Sequence, residues 1–217
     1  MRTRRSAAVP AVDMEPKTQP SQDRSRQTYE AILQASGELL AEVGIENFST
    51  NLICKRAALT PPALYRYFPN KYALLRALAE RLMNAQDAAV YAWIERGGLE
   101  ASTIEGMFEN NRAILNEVIR VTDTFPGGLW ILRAMRAVPL MREVRIRSSD
   151  TVADRIFQSL VERYPETAPE RLRRAAWLTT EVSNSVVEMV LEDPERDSHQ
   201  SVEEACWMIA AYYGQFR

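Results

Sequence analysis

The residues from which most catalytic and metal sites are built are scarce in this sequence. Its 217 residues include one histidine and two cysteines, too few for a metal site with several such ligands. His199 lies in an Asp-Ser-His-Gln stretch and is interpreted as a solvated residue and not as a general base. Because no glycine pattern that cradles phosphate occurs either, we predict no enzymatic activity, no metal and no cofactor.

The sequence also predicts neither a disulfide nor a membrane-spanning segment. Cys54 and Cys206 lie far apart in the chain, in segments predicted as helices of different domains, so we expect no disulfide. No apolar run reaches membrane-spanning length, and the opening Met-Arg-Thr-Arg-Arg lacks the apolar core of a signal peptide. We therefore expect a cytoplasmic protein with reduced thiols and no membrane partner.

Alternating strand patterns are also missing, and what remains is helical. The chain has 8 glycines, and the segments between its turn residues repeat their apolar residues with helical spacing. We predict an all-α fold in which an N-terminal three-helix unit is joined by a long helix to a larger helical domain. The predicted boundaries are residues 1–21 for a disordered basic arm, 22–84 for the N-terminal domain and 85–217 for the larger domain.

The two parts of the chain differ in the sign of their charge. Residues 1–83 hold 12 Lys and Arg against 8 Asp and Glu, a net of +4, whereas the remaining residues hold 15 against 21, a net of −6. The basic part is therefore the candidate for contact with phosphates, and the acidic remainder would be repelled by them. Arg2, Arg4 and Arg5 of the arm either reach a nucleic-acid groove or belong to a solvated tail.

Three helix starts follow one another between residues 49 and 71. Ser49 is predicted to cap a first short helix and Thr60 a second, which Pro61 opens at a position where a missing amide costs nothing. Pro69 ends the second helix, and Asn70 caps a long third helix that starts at the next residue. Two short helices joined by a turn are typical of the helix-turn-helix, whose second helix enters the DNA major groove.

Helical spacing predicts which side of the second short helix faces outward. Leu64 and Phe68 share one side and are spaced for burial. The outward residues are then Pro61, Pro62, Ala63, Arg66 and Tyr67, with Tyr65 between the two sides. Arg66 is the outward long hydrogen-bond donor of this helix, so we expect it to read a base edge.

The stretch Leu64-Tyr65-Arg66-Tyr67-Phe68-Pro69-Asn70-Lys71, preceded by Ala-Glu-Val-Gly at 41–44, closely resembles the DNA-binding domain of the TetR (tetracycline-repressor) family of bacterial transcription regulators. The resemblance covers about residues 24–84. It implies a regulator, expected to be a repressor, that binds a palindromic operator in double-stranded DNA as a homodimer and is released by a small-molecule ligand. By this resemblance the DNA contacts are expected at Ser49, Thr50, Thr60, Pro61, Ala63, Tyr65, Arg66, Tyr67 and Lys71.

Two positions depart from the family's pattern. The family usually has glycine where this chain has Ala58, so the turn is either strained by about a kilocalorie per mole or built differently. Pro61-Pro62 replaces side chains that often touch bases or phosphates. That replacement favours apolar contact with thymine methyl groups and restricts hydrogen bonding to Arg66 and its neighbours.

The resemblance also implies a small-molecule pocket in the larger domain. The candidate lining residues are Gln86, Trp93, Met107, Phe108, Asn111, Trp130 and Trp177. Asn111 is the most informative of them, because an amide on an otherwise apolar helix face needs a hydrogen-bond partner. The alternative for each residue is an ordinary core position, since methionine and aromatic side chains at helical spacing also fill cores.

The last two predicted helices, residues 169–192 and 201–216, carry wide apolar stripes. In the family that this chain resembles, the final two helices pair with their copies in a four-helix dimer interface. The alternative is that both stripes are buried within one subunit. A different class of function, a helical scaffold or adaptor that binds proteins and not DNA, is also compatible with helical composition, but the basic, capped unit at 49–71 favours the regulator.

Overall fold

Helices account for nearly all of the computed structural model, which describes residues 12–17, 23–193 and 197–216. No strand occurs in these ranges, and the predicted all-α fold class is confirmed. A short 3-10 turn, Pro139–Met141, precedes the seventh of the helices found there. The helices are α1 Asp23–Asn47, α2 Thr50–Arg56, α3 Pro61–Tyr65, α4 Lys71–Glu95, α5 Ile104–Thr124, α6 Gly128–Ala137, α7 Arg142–Arg163, α8 Pro169–Glu192 and α9 Ser198–Gly214.

Of the three predicted helix caps, those at the starts of α2 and α4 are confirmed. Ser49 Oγ accepts a hydrogen bond from the Leu52 amide at 3.5 Å, at the start of α2. Asn70 Oδ1 accepts from the amides of Tyr72 and Ala73 at 2.9 and 3.0 Å, at the start of α4. These side chains satisfy amides that have no partner one turn earlier, and they set where each helix begins.

The prediction that the Thr60 side chain caps α3 is wrong. Thr60 occupies the position before α3, but its hydroxyl makes no capping hydrogen bond. A capping hydroxyl accepts from the second or third amide of the helix. Pro62 has no amide hydrogen, and the amide of Ala63 already donates to the Thr60 carbonyl at 3.0 Å, so no donor remains for the hydroxyl.

The long helix α4 belongs to both parts of the protein. It packs against α1 on one side, and against α5, α6 and α7 along the rest of its length. The predicted boundary between residues 84 and 85 falls inside this continuous helix. A second connection is a close backbone approach, because a Cβ placed on Gly37 of α1 would lie 2.4 Å from the Pro126 carbonyl oxygen. The pairs α7 with α8 and α5 with α9 complete the larger domain.

Residues 12–17 differ from the predicted disordered arm. The carbonyl of Asp13 accepts from Asn70 Nδ2 at 2.7 Å, and the amide of Lys17 donates to the Tyr67 carbonyl at 2.8 Å. Met14 is buried. The segment is therefore held against the chain between α3 and α4 by hydrogen bonds of its backbone, one to a side chain and one to a backbone carbonyl, which its composition did not reveal. The other residues assigned to the arm, 1–11 and 18–21, lie outside the described residues.

Candidate functional site

The helix-turn-helix unit has the inner and outer sides that helical spacing predicts for its shorter helix, with the exception of Tyr67. Ile53 of α2, Leu64 of α3 and Phe68 are fully buried and join the two helices to the core. Pro61 at the start of α3 and Arg66 directly after it are exposed, and Ala63 is partly exposed. The exposed side of α3 is thus available to another macromolecule.

The turn between α2 and α3 is strained at Ala58, which is one of the two alternatives that the sequence left open. Ala58 has a φ of +51°, the one non-glycine residue with positive φ among the described residues. The amide of Leu59 donates to the Cys54 carbonyl at 2.9 Å. This bond closes the end of α2 in the manner of a Schellman turn, in which the left-handed position is usually glycine. The alternative of a differently built turn is therefore wrong.

Tyr65 and Lys71, two of the expected DNA contacts, each make a hydrogen bond within the protein. The exposed Tyr65 places its hydroxyl 3.1 Å from Thr50 Oγ1, which connects α3 to the first turn of α2. Lys71 Nζ donates to the Phe48 carbonyl at 3.3 Å. An ammonium group has three donors, so Lys71 retains donors for a phosphate while one is used within the protein.

The expectation that Tyr67 faces outward is wrong. Tyr67 is buried, its ring meets Tyr29 edge-on at a centroid distance of 6.1 Å, and its hydroxyl lies 3.1 Å from Ser25 Oγ. The helix ends at Tyr65, two residues earlier than an outward Tyr67 requires. The chain turns there, and the ring packs against α1 instead of facing DNA.

A cavity lies in the larger domain among α4, α5, α7, α8 and α9. The space that the centre of a water molecule can reach within it is about 80 Å³, several times the roughly 10 to 15 Å³ that one water needs. Three of the predicted lining residues, Gln86, Trp93 and Asn111, lie in its wall. Two of them are on α4, the helix that starts in the helix-turn-helix unit.

Four other predicted lining residues lie elsewhere. Met107 is buried in the core, and Phe108 stacks on Trp207 of α9 with ring centroids 4.2 Å apart. Trp130 lies against the end of α1, and Trp177 is 48% exposed on the surface of α8. Their residue types suited a pocket, but the rotation of α5, α6 and α8 against their neighbours turns these side chains away from the cavity.

The side-chain amide of Asn111 lacks the hydrogen-bond partner that we expected for it. Asn111 Nδ2 and Trp93 Nε1 are buried and have no acceptor in the part of the chain that the structure describes. Gln86 is different, because its Nε2 donates to Thr122 Oγ1 at 2.6 Å. An unpaired buried donor costs about 1 to 3 kcal/mol, so the cavity wall contains two groups that an added acceptor would stabilise.

Asp87 is a wall residue that the sequence analysis missed. Its carboxylate accepts a hydrogen bond from Ser148 Oγ of α7 at 2.8 Å. Burial raises the pKa of Asp87 from 3.8 to about 6, because an apolar environment disfavours the charged form. A signal for it existed in the sequence, since Asp87 is the only charged residue between Arg81 and Glu95.

The apolar stripes of α8 and α9 are largely buried within the subunit. Ala175 and Ala176 of α8 and Cys206 of α9 are fully buried, and Thr179 and Ser183 face the cavity. These stripes were the basis of the predicted dimer interface, so that argument is wrong as stated. Large apolar side chains are nevertheless exposed on other sides of the two helices, namely Trp177, Leu178 and Met189 on α8, and Trp207 and Met208 on α9.

Throughout the described ranges, no three His, Cys, Asp or Glu side chains are grouped so as to hold a metal ion. Burial also raises the pKa of Cys206 to about 11, which keeps this thiol protonated and unreactive.

Among the described residues, no helix combines the length and the apolar character that crossing a membrane requires.

An exposed short helix after a tight turn, attached by one long helix to a second helical domain, defines a helix-turn-helix DNA-binding regulator. The chain belongs to the TetR family. Residues 32–78 match the family described as bacterial regulatory proteins, tetR family, and residues 111–212 match the tetracyclin repressor-like C-terminal domain. Both matches are to regulatory domains, which disfavours the alternative of a helical adaptor that does not bind DNA.

Individual relatives agree with this assignment. The chain is 44% identical over 54 residues to the tetracycline repressor protein class C of Escherichia coli, which is 25% of each chain. It is 31% identical over 123 residues to the nucleoid occlusion factor SlmA of Actinobacillus pleuropneumoniae serotype 5b (strain L20), covering 57% of this chain and 55% of that protein. The chain therefore aligns with about a quarter to about half the length of these curated relatives.

A solved structure extends the likeness over nearly the whole chain. The crystal structure of a TetR-family transcriptional regulator from Streptomyces coelicolor superposes with a TM-score of 0.58 at 26% identity, covering 88% of this chain and 99% of that one. Since 88% of the chain is covered, both domains take part in this likeness.

Proposed function

We propose that this TetR-family regulator is a cytoplasmic repressor that binds a palindromic operator as a homodimer and is released by a small molecule in the cavity of its larger domain. The observation that carries the proposal is the course of α4. This helix starts at Lys71, beside α3, and reaches the cavity wall at Gln86 and Trp93 without a break. A molecule in the cavity thus touches the element that positions the DNA-binding unit.

The proposed mechanism is a change in the separation of two DNA-binding units. A dimer reads half-sites about 34 to 36 Å apart, so a few ångströms of added separation break simultaneous contact. A ligand that fits the cavity only when α4 is tilted favours the separated state. A coupling of about 1 to 3 kcal/mol changes DNA affinity about 5- to 150-fold, and DNA weakens ligand binding by the same factor.

The homodimer is supported by the exposed apolar side chains of α8 and α9. Met208 is 63% exposed and Trp177 is 48% exposed. Large apolar residues concentrated on two adjacent helices are typical of a contact with another molecule. A second copy suits them because symmetric dimers are the commonest oligomers, and the same patch then serves both subunits.

Selection of bound DNA from a random pool tests the proposed DNA site. We expect recovered sequences with two inverted half-sites whose centres lie one helical turn apart. A single, unrepeated motif would contradict the dimer, and no enrichment above the input pool would contradict operator binding altogether.

Sedimentation equilibrium of charge variants tests the interface separately. Met208→Glu and Trp177→Glu should each shift the protein toward monomer, because a carboxylate is costly to bury in an apolar contact. The matched control is Leu140→Glu, since Leu140 is 42% exposed but lies outside α8 and α9. If all three variants remained dimeric, the interface would lie on another surface.

A further inference from the structure

The wall of the cavity is uncharged except at one position. Among the described residues that line it, Asp87 alone has an ionisable acidic or basic side chain apart from the phenol of Tyr213. That phenol lies 2.6 Å from Thr179 Oγ1, and burial raises its pKa, so it stays neutral. The cavity therefore presents a carboxylate to its contents, and no lysine, arginine or histidine of the described wall balances it.

Asp87 lies where the cavity approaches the protein surface. The same residue lines a groove on the outside of the protein, between α4 and α7. Ser148 of α7 also lines both spaces and donates to the carboxylate of Asp87. Arg147 lies in the outer groove, but it pairs with Glu143 at 3.1 Å and is absent from the cavity wall. Asp87 thus has a hydroxyl partner but no cation within ion-pair distance in the described structure.

Two arginines beside the cavity are already engaged. Arg136 and Arg145 line a small space that adjoins the cavity and shares Gln86 with it. Arg136 forms an ion pair with Glu188, and Arg145 pairs with Glu181 at 3.1 Å. An anionic molecule would have to displace one of these carboxylates to gain a cationic partner, and it would also be repelled by Asp87.

We infer that the cavity takes a small organic cation, a protonated amine on an apolar or aromatic body, and that Asp87 pairs with its ammonium group. The inference rests on the proposed ligand function of this cavity and adds the chemical class of the ligand. A half-buried carboxylate without a cation is unfavourable, and an amine at that position supplies both the charge and hydrogen-bond donors.

The rest of the wall suits the body of such a molecule. Val90, Ile114, Val118 and Val152 supply apolar contact surface. The indole of Trp93 also lines the cavity and is the aromatic ring that attracts cations most strongly. An acceptor atom on the body would satisfy the unpaired donor of Asn111.

Three small molecules with the same body separate the possible ligand charges. 2-Phenylethylamine, 2-phenylethanol and phenylacetate each carry a phenyl ring and a two-carbon chain, and they end in an ammonium, a hydroxyl and a carboxylate. Binding to the full chain is measured by isothermal titration and by the shift in Tm. Hydrogen bonds to charged groups contribute about 1.5 to 3 kcal/mol, so the amine should bind roughly 10- to 150-fold more tightly than the alcohol. Phenylacetate should bind least.

Asp87→Asn removes the charge while it keeps the size of the side chain. In this variant the advantage of the amine over the alcohol should disappear, and the affinity for the alcohol should be unchanged. Asp123→Asn is the matched control, because Asp123 is exposed near the end of α5 and lies outside the cavity wall. Ser183→Leu, which fills the cavity, should weaken binding of the amine and the alcohol alike.

The outcomes separate this inference from the proposed function. Equal binding of all three molecules, preference for phenylacetate, or no binding by any of them overturns the inference of a cationic ligand. If the alcohol or the acid binds best and releases operator DNA, ligand-controlled release stands and the charge assignment fails. If the amine binds through Asp87 and leaves operator affinity unchanged, the charge assignment stands and ligand-controlled release fails.

Discussion

The helix-turn-helix unit and the cavity are built from the same secondary structure but assemble their functional residues in opposite ways. The expected DNA contacts lie between residues 49 and 71, and those supported by exposure, such as Tyr65 and Arg66, follow one another in the chain. The cavity wall comes from five helices and brings Gln86 of α4 together with Tyr213 of α9. The first site depends on local turns, and the second depends on how whole helices are rotated against each other.

This difference implies different sensitivities to mutation. A change on the exposed side of α3 is expected to remove one contact with DNA and to leave the fold intact. A change in the cavity alters the packing or the charge of the core, so its effect appears in stability as well as in binding. Since α4 runs through both regions, each prediction below specifies measurements that distinguish a local effect from one transmitted along this helix.

Arg66→Ala should have the largest effect, and that effect should be limited to DNA binding. A side chain that reads a base edge contributes about 1 to 3 kcal/mol, so the variant should lose that affinity and relax preference at one position of each half-site. Binding is measured with the selected operator and with variants of each base pair. Arg26→Ala is the matched control, because Arg26 is exposed on α1 and its loss changes net charge equally. An equal loss on specific and random DNA would make Arg66 a backbone contact.

Asp87→Asn should stabilise the protein without ligand, in contrast to Arg66→Ala. The folded pKa of Asp87 is raised to about 6 from 3.8, so ionisation costs more in the folded state than in the unfolded state. Stability of the unmodified protein therefore falls as pH rises from about 4 through 6. The groups facing Asp87 are Ser148, Tyr91 and, from the outer groove, Arg147.

The expected gain is about 1 to 2 kcal/mol above pH 7, because partial solvent contact reduces the roughly 3 kcal/mol that the full shift would give. Urea unfolding at pH 4 and pH 8 measures it. The gain should be much smaller near pH 4, where the carboxyl is protonated in the folded state and only partly ionised in the unfolded state. A gain of equal size at both pH values would show that lost charge is not its cause.

Lys71→Gln tests a contact at the junction of the two regions. Glutamine retains a donor for the Phe48 carbonyl, which Lys71 Nζ contacts at 3.3 Å, but it has no charge for a phosphate. We expect weaker binding of all sequences alike and a salt slope lower by about one unit. The measurement is operator affinity as a function of salt concentration. An unchanged slope would remove Lys71 from the phosphate contacts and leave it a structural role at the start of α4.

Ala58→Gly should have the smallest effect, on stability alone. Ala58 has a φ of +51°, which glycine adopts without a clash of its side chain. The variant should gain about 0.5 to 1 kcal/mol in the free energy of unfolding. Ala57→Gly is the control, because Ala57 has a φ of −78° and should lose stability on the same change. If both variants lost stability, Ala58 would not be strained.

Several local features could be predicted because neighbouring residues alone decide them. Ser49 and Asn70 cap helices through side chains that reach their own first turn. Thr60 and Tyr67 show the limit of this reasoning. The hydroxyl of Thr60 finds no donor because two prolines follow, a local fact that the residue types already contained. The burial of Tyr67 depends on Tyr29 and Ser25 of α1, which lie far from it in sequence.

The residues predicted for the pocket and for the dimer interface show that helical spacing alone does not place a side chain in the tertiary structure. Gln86, Trp93 and Asn111 reach the cavity, whereas Phe108 and Trp177, with equally suitable side chains, do not. Helical spacing tells which residues share a side of one helix, but it does not tell which neighbour that side meets. A stripe of small residues on α8 was therefore compatible with a dimer interface, with the core and with a cavity wall.

The sequence by itself determined that this protein is all-α and where α2, α3 and α4 begin, because caps, prolines and apolar spacing act within one or two turns of the chain. The last helix begins at Ser198 and not at the predicted residue 201. It also determined the helix-turn-helix, whose parts are contiguous. Only the tertiary structure decided that Asp87 and Asn111 lie in one cavity and that residues 12–17 pack beside α3. Those placements depend on the relative rotation of packed helices and on hydrogen bonds between distant residues, which no local pattern encodes.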